Sequence, residues 1–345
     1  MNIGIYNTYF ESEGIGGGER YMLTAAVHWA KKYSVSVITD NASLLTIARE
    51  RFGLAIENLH LLPNIFKDTN LVKKAFETKK YDVLFYLTDG SIPTSLAKHN
   101  IMQVQVPFPK LPLTFLKSAG LSKVVCNSEF TRNNLDPRVR SKCVVIYPPV
   151  DVERYHEKLK EKIILSVGRF NPAKKQNVLI DAFAKFLKNR NTNGWRLSLA
   201  GGLMKSDEAY LGSLKKHAKG LPIEFYENIP YAEMVSLYAR ASYYWHAAGF
   251  GETNPMNMEH FGISTVEAMA SGCIPLVYAG GGQPEIVEHG ENGYLWKTPS
   301  ELIHETEALI SQKDTDALRK RARSRAEAFS TERFTEALDR LLGSL

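Results

Sequence analysis

Cysteine is scarce in this chain of 345 residues. Cys126, Cys143 and Cys273 are odd in number, far apart in sequence and form no CxxC pair. This excludes a disulfide framework and a thiolate zinc site as readings. No apolar run reaches the roughly 18 residues that span a bilayer. No signal-peptide pattern precedes the first strand, because MNIGIYNTYF opens directly on strand periodicity. The cytoplasm is therefore the expected compartment. The nine histidines form no metal-spaced cluster, and His28 and His217 fall on helix patterns as structural or exposed side chains. No short-period repeat is present. Disorder is excluded too, since 44% of residues are hydrophobic and 23% charged, a balance that supplies apolar side chain for two cores.

The net charge of +6 is unevenly spread. Residues 1–155 hold 19 lysines and arginines against 14 acids, and the remainder 24 against 23. A basic first half fits an anionic partner such as acidic lipid or polysaccharide, and fits an ordinary solvated surface as well. No nucleic-acid partner is expected. The run Arg319-Lys320-Arg321-Ala322-Arg323-Ser324-Arg325 reads as a solvated helix face, with a membrane surface as the lesser alternative.

Short runs of Val, Ile and Leu alternate with helix-length segments. Strands are expected at 2–6, 34–39, 82–86, 101–106, 123–126 and 143–147, with a helix at 18–32. Residues 148–161 carry two prolines and then charge, and read as an interdomain linker. Alternation resumes with strands at 162–167, 195–200, 223–226, 242–246 and 274–278 and helices at 175–188, 207–219, 231–240, 264–271 and 284–289. Helices follow from about 301. Continuous apolar strands alternating with helices imply parallel sheets covered on both faces. The expected fold is α/β, with two doubly wound Rossmann-like domains facing a central cleft. Ligands of such sheets sit at the carboxyl ends of the strands.

Four segments could carry chemistry. Gly14-Ile15-Gly16-Gly17-Gly18-Glu19 precedes a helix, so its amides could cradle an anion. A dinucleotide fingerprint would need glycine at Glu19 and a start directly after the strand, although Asp40 stands where a ribose-binding acid would. A flexible capped turn fits equally. Gly168-Arg169-Phe170-Asn171-Pro172-Ala173-Lys174 follows a strand and opens a helix. Two cations beside a helix N-terminus suit a diphosphate, and they would also pass as surface charge. Glu259 lies before a helix and Glu267 on it, eight positions later, with the amides of Phe261, Gly262, Ile263 and Ser264 between them. Carboxylates accept hydrogen bonds from sugar hydroxyls well, and solvent-facing helical glutamates are also common. Gly280-Gly281-Gly282 either permits close backbone approach or forms a turn. Asp314-Thr315-Asp316 lies in a polar helix-flanking segment and reads as capping and not as a metal ligand set.

Taken together these stretches resemble glycosyltransferase family 4, the retaining group 1 transferases of GT-B fold. The resemblance rests on GIGGGER at 14–20, VVCNSEFTRNNL at 124–135, SVGRFNPAKKQNVLIDAFAKF at 166–186 and EHFGISTVEAMASGCIPLVYAGGGQPEIVEHGENGYLW at 259–296. It covers nearly the whole chain. It implies an N-terminal acceptor-side domain at 1–155, a nucleotide-sugar domain at 156–329, and a C-terminal helix at 330–345 packing back on the first. Domain closure would assemble the site. Arg169 and Lys174 would hold the donor diphosphate, Glu259 the sugar hydroxyls and Glu267 the ribose. Gly168 and the 261–264 segment would line the donor, Ile229 would approach the base, and Gly16, Gly17 and Gln105 would lie on the acceptor or phosphate side.

The implied reaction moves a hexose from a nucleoside diphosphate sugar to a hydroxyl of a glycan, lipid-linked or polysaccharide acceptor. It uses no cofactor and no metal, since two cations and a helix dipole can take up the leaving group's charge. Retention is implied by the resemblance alone, with a front-face route in which the leaving phosphate deprotonates the acceptor. His260 stands where many relatives carry proline, a form found in mannosyltransferases of lipid-linked oligosaccharide synthesis, and it favours GDP-mannose. Gln105 stands where many carry histidine. The segment 248–258 is longer than usual, either a closing loop or a passive insertion. Peripheral association at the inner face of a membrane is a further expectation. UDP-sugar hexosyl or N-acetylhexosaminyl transfer, an NAD-dependent oxidoreductase and a non-catalytic sugar-nucleotide binder remain alternatives.

Overall fold

A computed structural model describes residues 1–11, 16–189, 192–312 and 314–345. Gly14 and Ile15 of the glycine run lie outside the described residues. The chain divides into two units, Met1–Pro149 with Thr331–Leu345, and Val150–Ser330.

Among the described residues the first unit carries seven parallel strands: β1 (Asn2–Asn7), β2 (Ser34–Ile38), β3 (His60–Leu62), β4 (Val83–Leu87), β5 (His99–Val104), β6 (Leu121–Cys126) and β7 (Cys143–Val145). Their order is β3-β2-β1-β4-β5-β6-β7, and Ile3 sits between Val35 and Val83. Trp29 and Tyr21, on helix Gly17–Trp29, pack edge-on against Phe85 at 5.3 Å and Phe334 at 4.7 Å. The terminal helix Thr331–Gly343 is strongly amphipathic and buries Phe334, Leu338, Leu341 and Leu342 in this core. His28 pairs with Asp339 at 2.8 Å. Cys126 and Cys143 fall on neighbouring strands as free thiols.

The second unit carries β8 (Glu161–Val167), β9 (Arg196–Gly201), β10 (Ile223–Glu227), β11 (Ala241–His246), β12 (Ile274–Tyr278) and β13 (Tyr294–Trp296) in the order β10-β9-β8-β11-β12-β13. Phe183, Phe186, Trp195, Trp245 and Trp296 fill its core, and the Trp245 indole N–H donates to Thr306 Oγ1 at 3.1 Å. Strand order reverses between β8 and β11, which is where such a sheet opens a crevice for ligand.

Three expectations need correction. The boundary lies at 149/150 instead of 155/156, and 150–161 is not a free linker. Val150, Val152 and Tyr155 are buried in the second unit, with Tyr155 edge-on to Tyr238 at 5.7 Å, because three apolar side chains outweigh the surrounding charge. The arginine run is a solvated face only in part: Lys320, Arg321, Arg323 and Ser324 are exposed, but Arg319 and Arg325 are not. On helix Asp316–Ala326, Arg319 is buried and donates to the carbonyls of Ser242 (3.1 Å) and Gly272 (2.8 Å). Arg325 donates to Glu285 O at 2.6 Å and lies 5.1 Å over the Phe329 ring. Guanidinium forks suit carbonyls left over at element ends. Asp314, one residue before the N-cap Thr315, accepts the Asp316 N–H at 2.8 Å. Among the described residues no helix is long and apolar enough to cross a membrane.

Candidate functional site

The β8 end is stitched to its neighbour. Gly168 N–H donates to Ala200 O (3.0 Å) and Phe170 N–H to Gly202 O (2.9 Å). A Cβ on Gly201 would stand 1.9 Å from the Gly168 carbonyl, so the two loops touch backbone to backbone. Arg169 is left exposed, with one guanidinium nitrogen 3.7 Å from Met204 Sδ. Lys174 closes a short 3-10 turn. Lys175, in the left-handed region at φ 55°, then redirects the chain into helix Gln176–Phe186.

Lys174 Nζ meets Glu259 Oε2 at 2.6 Å, and His246 Nε2, at the end of β11, meets the same oxygen at 3.1 Å. Gln283 Nε2 lies 3.4 Å from His246 Nδ1. Among the described residues Glu259 Oε1 accepts no hydrogen bond, and 16% of the side chain remains exposed. Burial pushes the Glu259 carboxyl up, but Lys174 and His246 outweigh it and hold it well below the usual range. The glutamate's backbone is seated on the glycine run: Gly282 N–H donates to Glu259 O at 2.8 Å. Gly281 has φ +64°, and a Cβ there would fall 2.0 Å from that oxygen. Close backbone approach is thus what Gly280–Gly282 provides.

Helix Ile263–Ala270 starts four residues beyond Glu259, after Gly262 (φ +120°), and the amides of its first turn have no partner within the helix. The Phe261 ring is buried against Phe329 at 5.3 Å, so only its backbone is available to a ligand. Tyr244 hydroxyl bonds to Ser264 Oγ at 2.7 Å, and Tyr238 hydroxyl donates to Glu267 Oε2 at 3.1 Å. Ile229 follows Asn228, which takes φ 50° and accepts the Leu203 N–H at 2.9 Å, tying that loop to the β9 end. Burial lowers the His260 imidazole's affinity for protons, against the pull of Glu259, and its Nε2 lies 3.3 Å from Pro255 O. The 248–258 segment is fastened. Glu252 pairs with Lys175 at 2.6 Å, and Phe250 packs on Tyr278 and Trp296, each at 5.5 Å.

In the first unit, Gly16 caps helix Gly17–Trp29, with Gly16 N–H donating to Glu19 Oε2 at 2.7 Å. Gln105 comes to the same place: a Cβ on Gly18 would meet its Oε1 at 2.9 Å. Asp40, the residue that a dinucleotide reading would use, is spent on the Asn64 N–H and Lys67, both at 2.8 Å.

Sequence reasoning missed His246 and Gln283. His246 was legible only as the last residue of an apolar strand, and Gln283 as part of a turn. The contacts of His246 with Glu259, 13 residues on, and of Gln283 with His246, 37 residues back, form only when separate loops fold onto one crevice.

Residues 150–329 match the family model for glycosyl transferases group 1, and residues 15–154 match that for Glycosyltransferase Family 4. The GDP-Man:Man(3)GlcNAc(2)-PP-Dol alpha-1,2-mannosyltransferase of Xenopus tropicalis is 36% identical over 167 residues, 44% of this chain and 33% of that protein. The protein of that name from Homo sapiens is 31% identical over 234 residues, 61% of this chain and 46% of its own. The chain thus spans between a third and a half of the length of these relatives. The Anabaena protein HepE, solved in complex with UDP, shares the fold with a TM-score of 0.77 at 19% identity over all of both chains.

Proposed function

Because this chain belongs to the group 1 glycosyl transferases, we propose that it transfers mannose from GDP-mannose to a hydroxyl of a lipid-linked glycan. The observation that carries this reading is the Lys174–Glu259 ion pair at the β8/β11 switch point, with Arg169 exposed two residues past the end of β8. In this reading Arg169 and Lys174 take the diphosphate, and the amides at the start of helix Ile263–Ala270 add to that positive field. Glu259 takes sugar hydroxyls and Glu267 the ribose diol, while Gly168 and Ser264 line the pocket and Ile229 faces the base. Gly16, Gly17 and Gln105 serve the acceptor side. Charge developing on the departing GDP falls to two cations and a helix N-terminus, so we assign no metal to the step. The departing phosphate takes the acceptor's proton on the same face, and inverted product would sink that route. Similarity to dolichol-linked mannosyltransferases supports the choice of donor and acceptor class.

A membrane surface is the place proposed for meeting such an acceptor. What supports it is helix Leu71–Thr78, whose Leu71, Val72 and Phe76 are 59%, 64% and 67% exposed beside Lys73, Lys74, Lys79 and Lys80. Co-sedimentation with vesicles containing anionic lipid, lost in a Leu71→Ser/Phe76→Ser variant, is the expected result.

The donor is tested by thermal shift with GDP, UDP, ADP and NAD, followed by hydrolysis of the matching sugar nucleotides. Stabilisation by GDP with slow GDP-mannose hydrolysis is expected. Stabilisation by UDP alone would discard mannose, and stabilisation by NAD alone would discard the transfer reaction.

A further inference from the structure

Glu259 is held in an unusual way. Both of its protein partners converge on Oε2, and neither touches Oε1. One of those partners, Lys174, is also the cation that a diphosphate would draw away. When it turns to the phosphates, the half-buried carboxylate retains only His246. A carboxylate donates nothing when ionised, so the hydrogen at 3.1 Å must sit on His246 Nε2. In the neutral ring that leaves Nδ1 as an acceptor, and the Gln283 amide nitrogen, 3.4 Å away, meets it as a donor. Gln283 is itself fully buried, its Oε1 has no partner, and a Cβ on Gly262 would clash with it at 2.5 Å. The amide therefore has one snug seat, and that seat selects the imidazole tautomer.

We propose that His246 is a positioning residue. Its Nε2–H, set by Gln283 at Nδ1, keeps Glu259 Oε2 engaged while Lys174 serves the diphosphate, so that Oε1 stays aimed at the donor sugar. This rests on the donor reading above and adds to it the group that orients its central carboxylate. His246 acts through Glu259 and touches no substrate.

The test uses the full chain as wild type, His246→Leu and His246→Gln. Glutamine can place an amide N–H near the position of Nε2, whereas leucine cannot. GDP affinity is measured by calorimetry and GDP-mannose turnover by nucleotide release. His246→Leu is expected to lower turnover about ten- to a hundredfold, the scale of one hydrogen bond to a charged group, with GDP affinity within about threefold, because GDP lacks the sugar. His246→Gln is expected to recover most of that loss. Nitrogen-15 NMR of the wild-type imidazole is expected to show the Nε2–H form at neutral pH. A ring protonated at Nδ1 alone would overturn the assignment without any reference to activity. Leucine and glutamine variants that behave alike, or a leucine variant that loses GDP binding in step with turnover, would also overturn it. A wild type that binds no nucleotide and turns over no sugar nucleotide would overturn the donor reading first, and this assignment with it.

Discussion

Each unit carries a charged cluster at the carboxyl ends of its strands, and the two differ in one respect. In the first unit Glu11 accepts at Oε1 from Thr39 Oγ1 (3.1 Å), Asp40 N–H (3.0 Å) and Asn64 Nδ2 (3.0 Å), and at Oε2 from Lys67 (2.9 Å). Both oxygens are spent, and the cluster ties β1, β2 and β3 together. In the second unit Glu259 is engaged at Oε2 only. Both carboxyls are held below the ordinary range, with burial the largest single influence and opposed by hydrogen-bond donors and cations in each case. A lowered pKa therefore does not separate Glu11 from the acid proposed to bind the donor. The unspent oxygen does, because a ligand can bind only where hydrogen-bonding capacity is left.

The contrast can be broken most severely at the second cluster. Glu259→Ala, Arg169→Ala and Glu267→Ala are each expected to cut sugar-nucleotide turnover by about a hundredfold or more, with circular dichroism melts showing a folded chain. Near-normal turnover in these variants, at normal donor affinity, would sink the site. Glu11→Gln should do the opposite, keeping turnover and lowering stability by about 1–3 kcal/mol in urea titrations, as a hydrogen-bonded charge is lost. A fall in turnover with unchanged stability would erase the distinction between the clusters.

Arg319→Met is expected to destabilise by about 1–3 kcal/mol without altering turnover, since the Ser242 and Gly272 carbonyls lose their donor. A subtler effect is expected with pH. The folded pKa of Glu259 is depressed, so its contribution to stability is fully present above its ordinary value of 4.5 and is lost as pH falls through the folded value. Removing the neighbouring cation in Lys174→Met should let that carboxyl rise, and acid unfolding should begin at a higher pH than in wild type. An unchanged acid midpoint would show that the pair contributes nothing. The smallest expected effect is none: chelation with EDTA should leave GDP-mannose hydrolysis unaltered, and loss of activity restored by a divalent cation would end the metal-free assignment.

Much of this was legible from residue order. The continuous apolar runs located most of the strands because a sheet buried on both faces leaves no room for polar alternation. The strands β3 and β13, of three residues each, and the helices Leu44–Phe52 and Leu71–Thr78 escaped notice. Short elements carry too little periodicity, and the second of those helices exposes the apolar side chains that would normally mark a buried face. Arg319 and Arg325 in the arginine run were misread as solvated for a related reason. Composition records how many charges a helix has, while the positions of stray carbonyls in the packed unit decide which of them are buried.

Residue order alone sets the two strand-helix arrays, the glycines at close turns, and the succession of Arg169, Lys174, Glu259 and Glu267 along the chain. Those properties are local, set by periodicity and by the space a Cβ needs. Only the packed fold makes Lys174 and His246 meet on one oxygen of Glu259, brings the Gln283 amide against the imidazole, and closes Asp40 with Lys67. Each of those is a hydrogen bond of about 3 Å between side chains far apart in sequence. Such contacts come into being only when the sheet brings separate strand ends into one crevice.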